Sequence, residues 1–393
     1  MLSGHNLIYF APETWDGLWR NRHQLMSIFA RHNKVLFVEG RYHLRSLVKK
    51  WRSGQVKLSD FQQPALRQVA PNLFVLRYPL WAPISGNFGA ITQKIRQSVL
   101  QTALKKLAMD RPIVWFSRPN MRDLLDEVPS ARLRIYHVVD EYTAYSGLSQ
   151  YRAERIAQAE QTMLTNVDMV VVVSPKLYEA KRPYNPNTYL VANGVDFSSY
   201  SQALANPTLP DALLKIKEPR LGYIGLIGDK LNLTMVKDLV ENRPEWSLVL
   251  LGTDDIAKQA ATWTALKVLP NVHHLKPVAA DQVANYVKGF QVGLMPYKQN
   301  QHADNISPLK LYDYLAAGLP IAAVDIPAVR AFGDHVHIAD APPAFSAAVA
   351  AALADQVPER RQARRDLAAH HTWEARVEQL SHLIESHMAV KSG

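Results

Sequence analysis

The 393-residue sequence predicts an α/β protein made of two doubly wound parallel-sheet domains. Its length exceeds what one ordinary core fills, since single cores stop growing at roughly 250–300 residues. Short β-rich apolar runs alternate with helix-length segments almost from end to end, the pattern of parallel strands joined by crossover helices. A stretch rich in Asn, Gly, Ser and Pro, LVANGVDFSSYSQALANPTLP at 190–210, interrupts the series and marks a linker.

In the first half the strands are expected at NLIYF (6–10), KVLFVE (34–39), NLFVLRY (72–78), PIVWFS (112–117), LRIYHVV (133–139) and MVVVVS (169–174). In the second half they are expected at RLGYIG (220–225), WSLVLLG (246–252), NVHHLKP (271–277), VGLMPY (292–297) and PIAAVD (320–325). The domains are therefore read as 1–195 and 196–371, followed by an amphipathic helix over 372–393 whose N-cap is Thr372. Facing each other, two such units would place the carboxyl ends of both sheets around one cleft, where open α/β folds bind ligands.

An apolar fraction of 48% supplies ample core, yet no window approaches the length of a membrane span, and the Ala-rich run at 344–354 reads as a packed helix. The opening MLSGHNLIYF lacks a basic leader and a cleavage site, so a first strand is expected there and a cytoplasmic location for the chain. Zero cysteines exclude disulfides and thiolate metal sites. The net charge of +10 is unevenly spread: through Tyr200 there are 26 Lys+Arg against 15 Asp+Glu, leaving 19 against 20 beyond. A basic first half with no stacking pattern or zinc-finger motif points to an anionic membrane or a phosphate rather than to nucleic acid.

Within that half, RYHLRSLVKKWRSGQVK sets Leu44, Leu47, Val48 and Trp51 at i, i+3, i+4 and i+7, one apolar stripe flanked by Arg45, Lys49, Lys50 and Arg52. A second basic helix, ITQKIRQSVLQTALKKLA, follows. Such stripes often pack on their own domain. With the local charge, this one is read as a patch for the inner face of an anionic membrane.

The segment DNISPLKLYDYLAAGLP (304–320) is the most informative. Ser307 is expected as N-cap and Pro308 as first helical residue, with Gly318 ending the helix in the left-handed region. Free first-turn amides together with Lys310 would suit a phosphate. Asp313, one turn deeper on the same face, would accept from a sugar diol, and Asn305 could reach further hydroxyls. The plain alternative is a capped surface helix with an Asp–Lys pair.

LRIYHVVDEYTAY ends a strongly apolar strand in Asp140 and Glu141, a carboxylate pair at a sheet's carboxyl edge. Either could take a proton from an acceptor hydroxyl, or simply cap the next turn. Arg20, Arg22 and His23 after the first strand, and Arg118 after PIVWFS, are candidate phosphate or acceptor residues, the alternative being solvated cations. His273 and His274 read as packing residues. No Asp-x-Asp occurs, so no essential metal is expected.

NISPLKLYDYLAAGLPIAAVD closely resembles the nucleotide-binding segment of GT-B glycosyltransferases, in the branch of family 4 and teichuronic-acid-type polysaccharide enzymes. VANGVDFSSY, RLGYIGLIGDKLNLTMV, LPNVHHLKPV and GFQVGLMPY are similar to further elements of the same nucleotide domain, in order. WDGLWRNRHQLMSIFARHNKVLFVE and IYHVVDEYTAY resemble that branch's acceptor side. The resemblance implies a GT-B fold of two Rossmann-like domains, with the C-terminal helix crossing back to the first.

It further implies transfer of a sugar from a nucleoside-diphosphate sugar, expected to be UDP-linked, to a glycan or polyprenyl-diphosphate-linked acceptor in cell-surface polysaccharide synthesis. No cofactor is implied beyond this co-substrate. The family's Glu-x7-Glu pair falls on Asn305 and Asp313, which keeps one carboxylate and loses the other. Its Arg and Lys after the first strand of the nucleotide domain give way to Gly225 and Lys230, while Tyr297, Ser307, Leu309 and Lys310 complete the donor set. A distant likeness to the xanthan glucuronosyltransferase favours Asp140 over Glu141 as base. A nucleotide-sugar epimerase or hydrolase, and a non-catalytic GT-B scaffold subunit, are the competing readings.

Overall fold

A computed structural model describes residues 1–54, 56–62, 65–84, 88–145, 147–339 and 341–390. The chain divides into two compact units, Met1–Ala192 with Arg376–Gly393, and Asn193–Ala375. Both are α/β with mostly parallel sheets, the fold class expected.

In the first unit the strands are β1 (Asn6–Phe10), β2 (Lys34–Val38), β3 (Leu66–Ala70), β4 (Leu73–Leu76), β5 (Ile113–Phe116), β6 (Leu133–Val138), β7 (Met169–Val172) and β8 (Thr188–Leu190). They form one sheet in the order β3-β4-β2-β1-β5-β6-β7-β8, all parallel except the β3–β4 pair. The central strands are continuous apolar runs because helices cover both faces of a parallel sheet. β5 and β7, for instance, are buried at every residue. β3 was not foreseen: LRQVA is short, half exposed and confined to the edge, where pairing rather than burial holds it. The helices that matter below are α1 (Asn21–Phe29), α2 (Leu44–Arg52), α3 (Gly89–Lys106), α4 (Gln150–Asn166) and α5 (Pro175–Lys181).

In the second unit β9 (Arg220–Ile224), β11 (Ser247–Leu251), β13 (Val272–Leu275), β14 (Val292–Met295), β15 (Ile321–Val324) and β16 (Val336–Ala339) form a parallel sheet. Its order is β13-β11-β9-β14-β15-β16. Two residue pairs beside it, β10 (Ile227–Gly228) and β12 (Asp254–Asp255), make a small parallel ribbon. His273 and His274 lie on β13, and the His274 imidazole meets the Gly252 carbonyl at 2.9 Å and the edge of Trp263, a packing role. The last helix, Trp373–Val390, starts where the Thr372 hydroxyl accepts the Ala375 amide, and from Arg376 onward it belongs with the first unit. There His387 meets the Tyr189 hydroxyl at 2.9 Å, and Gln379 donates to the Leu190 carbonyl.

Candidate active site

Adjacent parallel strands present their carboxyl ends side by side, which is how the second unit gathers its polar groups. β9 carries Tyr223 and is followed by Gly225; β14 is its neighbour and leads to Tyr297. Gly225 has φ +108°, a conformation that disfavours a side chain, and a Cβ placed there would lie 3.9 Å from the Lys310 nitrogen. Gly252, at the end of β11, has its Cβ position 2.1 Å from the Gly225 carbonyl oxygen, so only glycine allows the two backbones to meet.

Onto this floor packs the helix Leu309–Ala316. One turn past Lys310, the Tyr314 hydroxyl donates to the Gly222 carbonyl at 3.1 Å and accepts from the Ile224 amide at 3.3 Å, which pins the helix to β9. Lys310 is thereby buried. Its ammonium donates to the Tyr297 hydroxyl at 2.8 Å and lies 4.6 Å from the Tyr223 ring and 5.1 Å from the Tyr297 ring. Lys230 also lies over the Tyr297 ring, 6.0 Å from its centroid. Gly225, Lys230, Tyr297 and Lys310 are thus brought together, around a tyrosine, Tyr223, that nothing in the sequence singled out.

Burial lowers the Lys310 ammonium to about 8, with Asp313 opposing the shift. Burial likewise raises the Asp313 carboxyl to about 7, opposed by a hydrogen bond from Tyr200 and by Lys310. The two charges share one helical face, as their three-residue spacing requires.

Three details correct the sequence reading of this segment. Ser307 is not the N-cap: Pro308 holds that position with no side-chain cap, and the Ser307 hydroxyl accepts the Asn193 amide at 3.4 Å instead. The Asn193 side chain also donates to the Ser307 carbonyl at 2.7 Å, so the Asn of VANGVD fixes the approach to the helix. Asn305, read as reaching for further hydroxyls, closes the short helix Gln301–Asn305, is buried, and donates to the Gln301 carbonyl at 2.6 Å. Leu309 is partly exposed in the first turn, and Gly318 has φ +73° as expected for a helix end.

In the first unit Asp140 follows β6 and is half-buried. The Tyr145 hydroxyl donates to its Oδ2 at 2.7 Å, and Arg118 reaches that hydroxyl at 3.4 Å while lying 4.8 Å over the Tyr142 ring. Tyr142 in turn donates to the Ser117 carbonyl at 2.9 Å. Arg20 belongs to the same surroundings: burial, then the neighbouring Arg118, lowers its guanidinium, while Tyr145 and Asp140 favour its charge. Arg20, Arg118 and Asp140 are therefore gathered at the carboxyl ends of β1, β5 and β6.

The other acceptor-side candidates go elsewhere. Glu141 is buried. One oxygen accepts from the Thr143 hydroxyl at 2.6 Å and amide at 3.3 Å, the other from Lys181 at 2.8 Å, so it caps the turn after β6 instead of facing a substrate. Arg22 is buried against Glu13. His23 accepts the Arg20 amide at Nδ1 and packs among Trp15, Trp19 and Phe37; burial lowers it to about 4, leaving it neutral near pH 7 and unable to supply a charge for phosphate.

The stripe on α2 is split. Leu47 packs with Val56, Leu80 and Tyr42 in a small separate core, whereas Leu44, Val48 and Trp51 remain exposed beside Arg45, Lys49, Lys50 and Arg52. Among the described residues no helix is long and apolar enough to cross a membrane, and no group of three His, Asp or Glu is placed to hold a metal ion.

With this geometry in view, comparison with known proteins is specific. Residues 233–382 match the family described as Glycosyl transferase-like. TuaH of Bacillus subtilis (strain 168), named for a teichuronic acid biosynthesis glycosyltransferase, is 30% identical over 256 residues, covering 61% of this chain and 63% of its own length. Sucrose-phosphate synthase from Thermosynechococcus elongatus superposes with TM-score 0.73 at 17% identity over 98% of this chain and 100% of that one. Anabaena HepE, solved with UDP and glucose, gives 0.66 at 13% over 97% and 100%. The chain thus has the GT-B fold, and its residues 233–382 are similar to the family described as Glycosyl transferase-like.

Proposed function

We propose that the protein is a glycosyltransferase that moves a sugar from a nucleoside-diphosphate sugar, UDP-linked, to a glycan or lipid-linked saccharide at an anionic membrane surface. One observation carries the reading: a lysine ammonium buried between two tyrosine rings at the ends of β9 and β14, beside a glycine whose absent side chain leaves room for a ligand. Burying an ammonium is costly. A diphosphate bound there recovers that cost and, as leaving group, keeps the compensation as its charge develops. Asp313, on the same helical face as Lys310, is the proposed acceptor for the ribose hydroxyls, and no divalent ion is proposed.

In the first unit Asp140 is the proposed base toward the acceptor hydroxyl if the anomeric centre inverts, with Tyr145 and Arg118 orienting it and Arg20 meeting an acceptor phosphate. The name of the Bacillus subtilis relative and the UDP and glucose in HepE support the donor class and a polysaccharide product. The exposed basic stripe of α2 supports membrane contact.

The test is incubation of the pure protein with UDP-sugars and a bacterial lipid extract. Sugar incorporated into lipid or glycan bears the proposal out. Release of UDP with no acceptor present would instead favour hydrolysis, a sugar changed on its nucleotide epimerisation, and UDP binding without any turnover a scaffold.

A further inference from the structure

Lys310 is buried, yet among the described residues it forms no ion pair. Its hydrogen-bond partner is the Tyr297 hydroxyl at 2.8 Å, which burial raises above the usual phenol range and so keeps neutral near pH 7. An ammonium carries three donors, so two remain for a ligand. A buried cation of this kind sheds its proton or leaves the interior unless something compensates the lost water.

The compensation comes from an aromatic face. The Tyr223 ring lies 4.6 Å from the ammonium, nearer than the Tyr297 ring at 5.1 Å. Tyr223 is fully buried on β9, between β11 and β14, and its hydroxyl donates to the Leu226 carbonyl at 2.9 Å, which anchors the ring just past Gly225. Tyr314 stands four residues after Lys310 and therefore on the same helical face. Its hydroxyl bonds Gly222 and Ile224, the residues on either side of Tyr223. The helix is thus tied to β9 at the two positions that flank the ring, and this register sets ammonium against ring.

A carboxylate at position 223 would also hold the cation, but it would compete with an incoming phosphate. A ring quadrupole attracts an ammonium without carrying a charge that the ligand must displace. We propose that Tyr223 is a positioning residue for the donor: its ring keeps the Lys310 ammonium charged and in place, with two donors open, before a diphosphate arrives. The inference rests on the donor reading of this site and adds to it the residue that readies the lysine. The other titratable groups about the ammonium are Asp313, one turn on, Tyr297, and Lys230 over the Tyr297 ring. Tyr297 is the lesser support, since its hydroxyl occupies one donor and its ring also faces Lys230.

The experiment follows lysine labelled with ¹³C at Cε by NMR as the full chain is titrated, the Lys310 signal being the one lost in Lys310→Ala. Tyr223→Leu removes the ring and keeps an apolar side chain, with Tyr223→Met in reserve where the leucine variant does not fold; Tyr223→Phe keeps the ring. In Tyr223→Leu or Tyr223→Met the Lys310 midpoint should fall by at least about 0.5 of a pH unit, and UDP should bind about tenfold more weakly near pH 7.5. Tyr223→Phe should stay within about threefold of wild-type UDP affinity, its midpoint within about 0.2 of a pH unit. In a Lys310→Ala background the loss of the ring should leave UDP affinity unchanged. A midpoint that stays or rises in the folded ring-less variant, a Tyr223→Phe as impaired as that variant, or an equal loss of UDP affinity in both backgrounds overturns the inference. If the wild type binds no UDP, the donor reading fails instead, and the lysine titration still decides what the ring does.

Discussion

The Lys181 ammonium and the Glu141 carboxylate meet at 2.8 Å inside the first unit. Lys181, at the end of α5, also reaches Glu160 of α4 at 2.7 Å, and Glu160 accepts from the Tyr136 hydroxyl at 3.2 Å. All three ionisable groups are buried. Burial alone would raise Glu141, but hydrogen bonds from Lys181 and Thr143 hold it below the usual carboxylate range; Glu160 stays raised by burial. Removing the shared cation leaves two buried acids facing each other, so Lys181→Met should cost about 3–5 kcal/mol of folding stability, as broken buried pairs do. Urea unfolding monitored by tryptophan fluorescence measures this, and a loss below about 1 kcal/mol would mean that the triad is not what secures the turn.

That turn carries the proposed base. Asp140→Asn keeps the shape and removes the proton acceptor, so transfer should fall by about 10²- to 10⁴-fold while UDP binding is unaltered. Tyr145→Phe removes only the hydroxyl that donates to Asp140 at 2.7 Å and should reduce kcat more than it alters KM. Full activity in Asp140→Asn would remove this residue from the chemistry.

How far the sequence foretold this arrangement depended on whether a role is local. The parallel strands were readable because their apolar runs need no partner to be recognised, and Gly318 and Thr372 because helix ends have local chemistry. Lys310 was named from its place in the first turn of its helix and Gly225, Lys230 and Tyr297 from resemblance, and packing shows what joins them, including Tyr223. The errors share a cause. Ser307, Glu141, Arg22 and His23 each had a plausible local role, but a distant residue or the core claims the side chain: Asn193, Lys181, Glu13 and a ring of aromatics. No sequence spacing announces such partners.

Charge on α2 can be separated from its apolar side chains. Neutralising Lys49, Lys50 and Arg52 should weaken attachment to anionic liposomes by about 1 kcal/mol per residue at low salt, and 0.5 M salt should mimic the effect. Trp51→Ala should weaken binding with little change in its salt dependence, because the exposed ring contributes area rather than charge. Flotation of the triple variant equal to wild type would refute the patch.

The donor site makes its own prediction in pH. Lys310→Ala should weaken UDP binding by about 1.5–3 kcal/mol, the worth of a hydrogen bond to a charged group. In the free protein burial holds the Lys310 ammonium down to about 8 instead of 10.5. Between those values the folded chain binds fewer protons here than the unfolded chain, so this residue's contribution to stability grows as pH rises from about 8 to 10.5. Diphosphate favours the charged lysine and moves its titration upward. Binding above pH 8 must therefore take up a proton, and UDP affinity should fall as pH climbs through that point, by up to about tenfold per unit. The terminal phosphate of UDP titrates near pH 6, well below this window. Calorimetry in buffers of different ionisation enthalpy should show uptake approaching one proton per UDP at pH 9, much less at pH 7, and none in Lys310→Ala. An affinity constant from pH 7 to 9.5 would place the diphosphate away from Lys310.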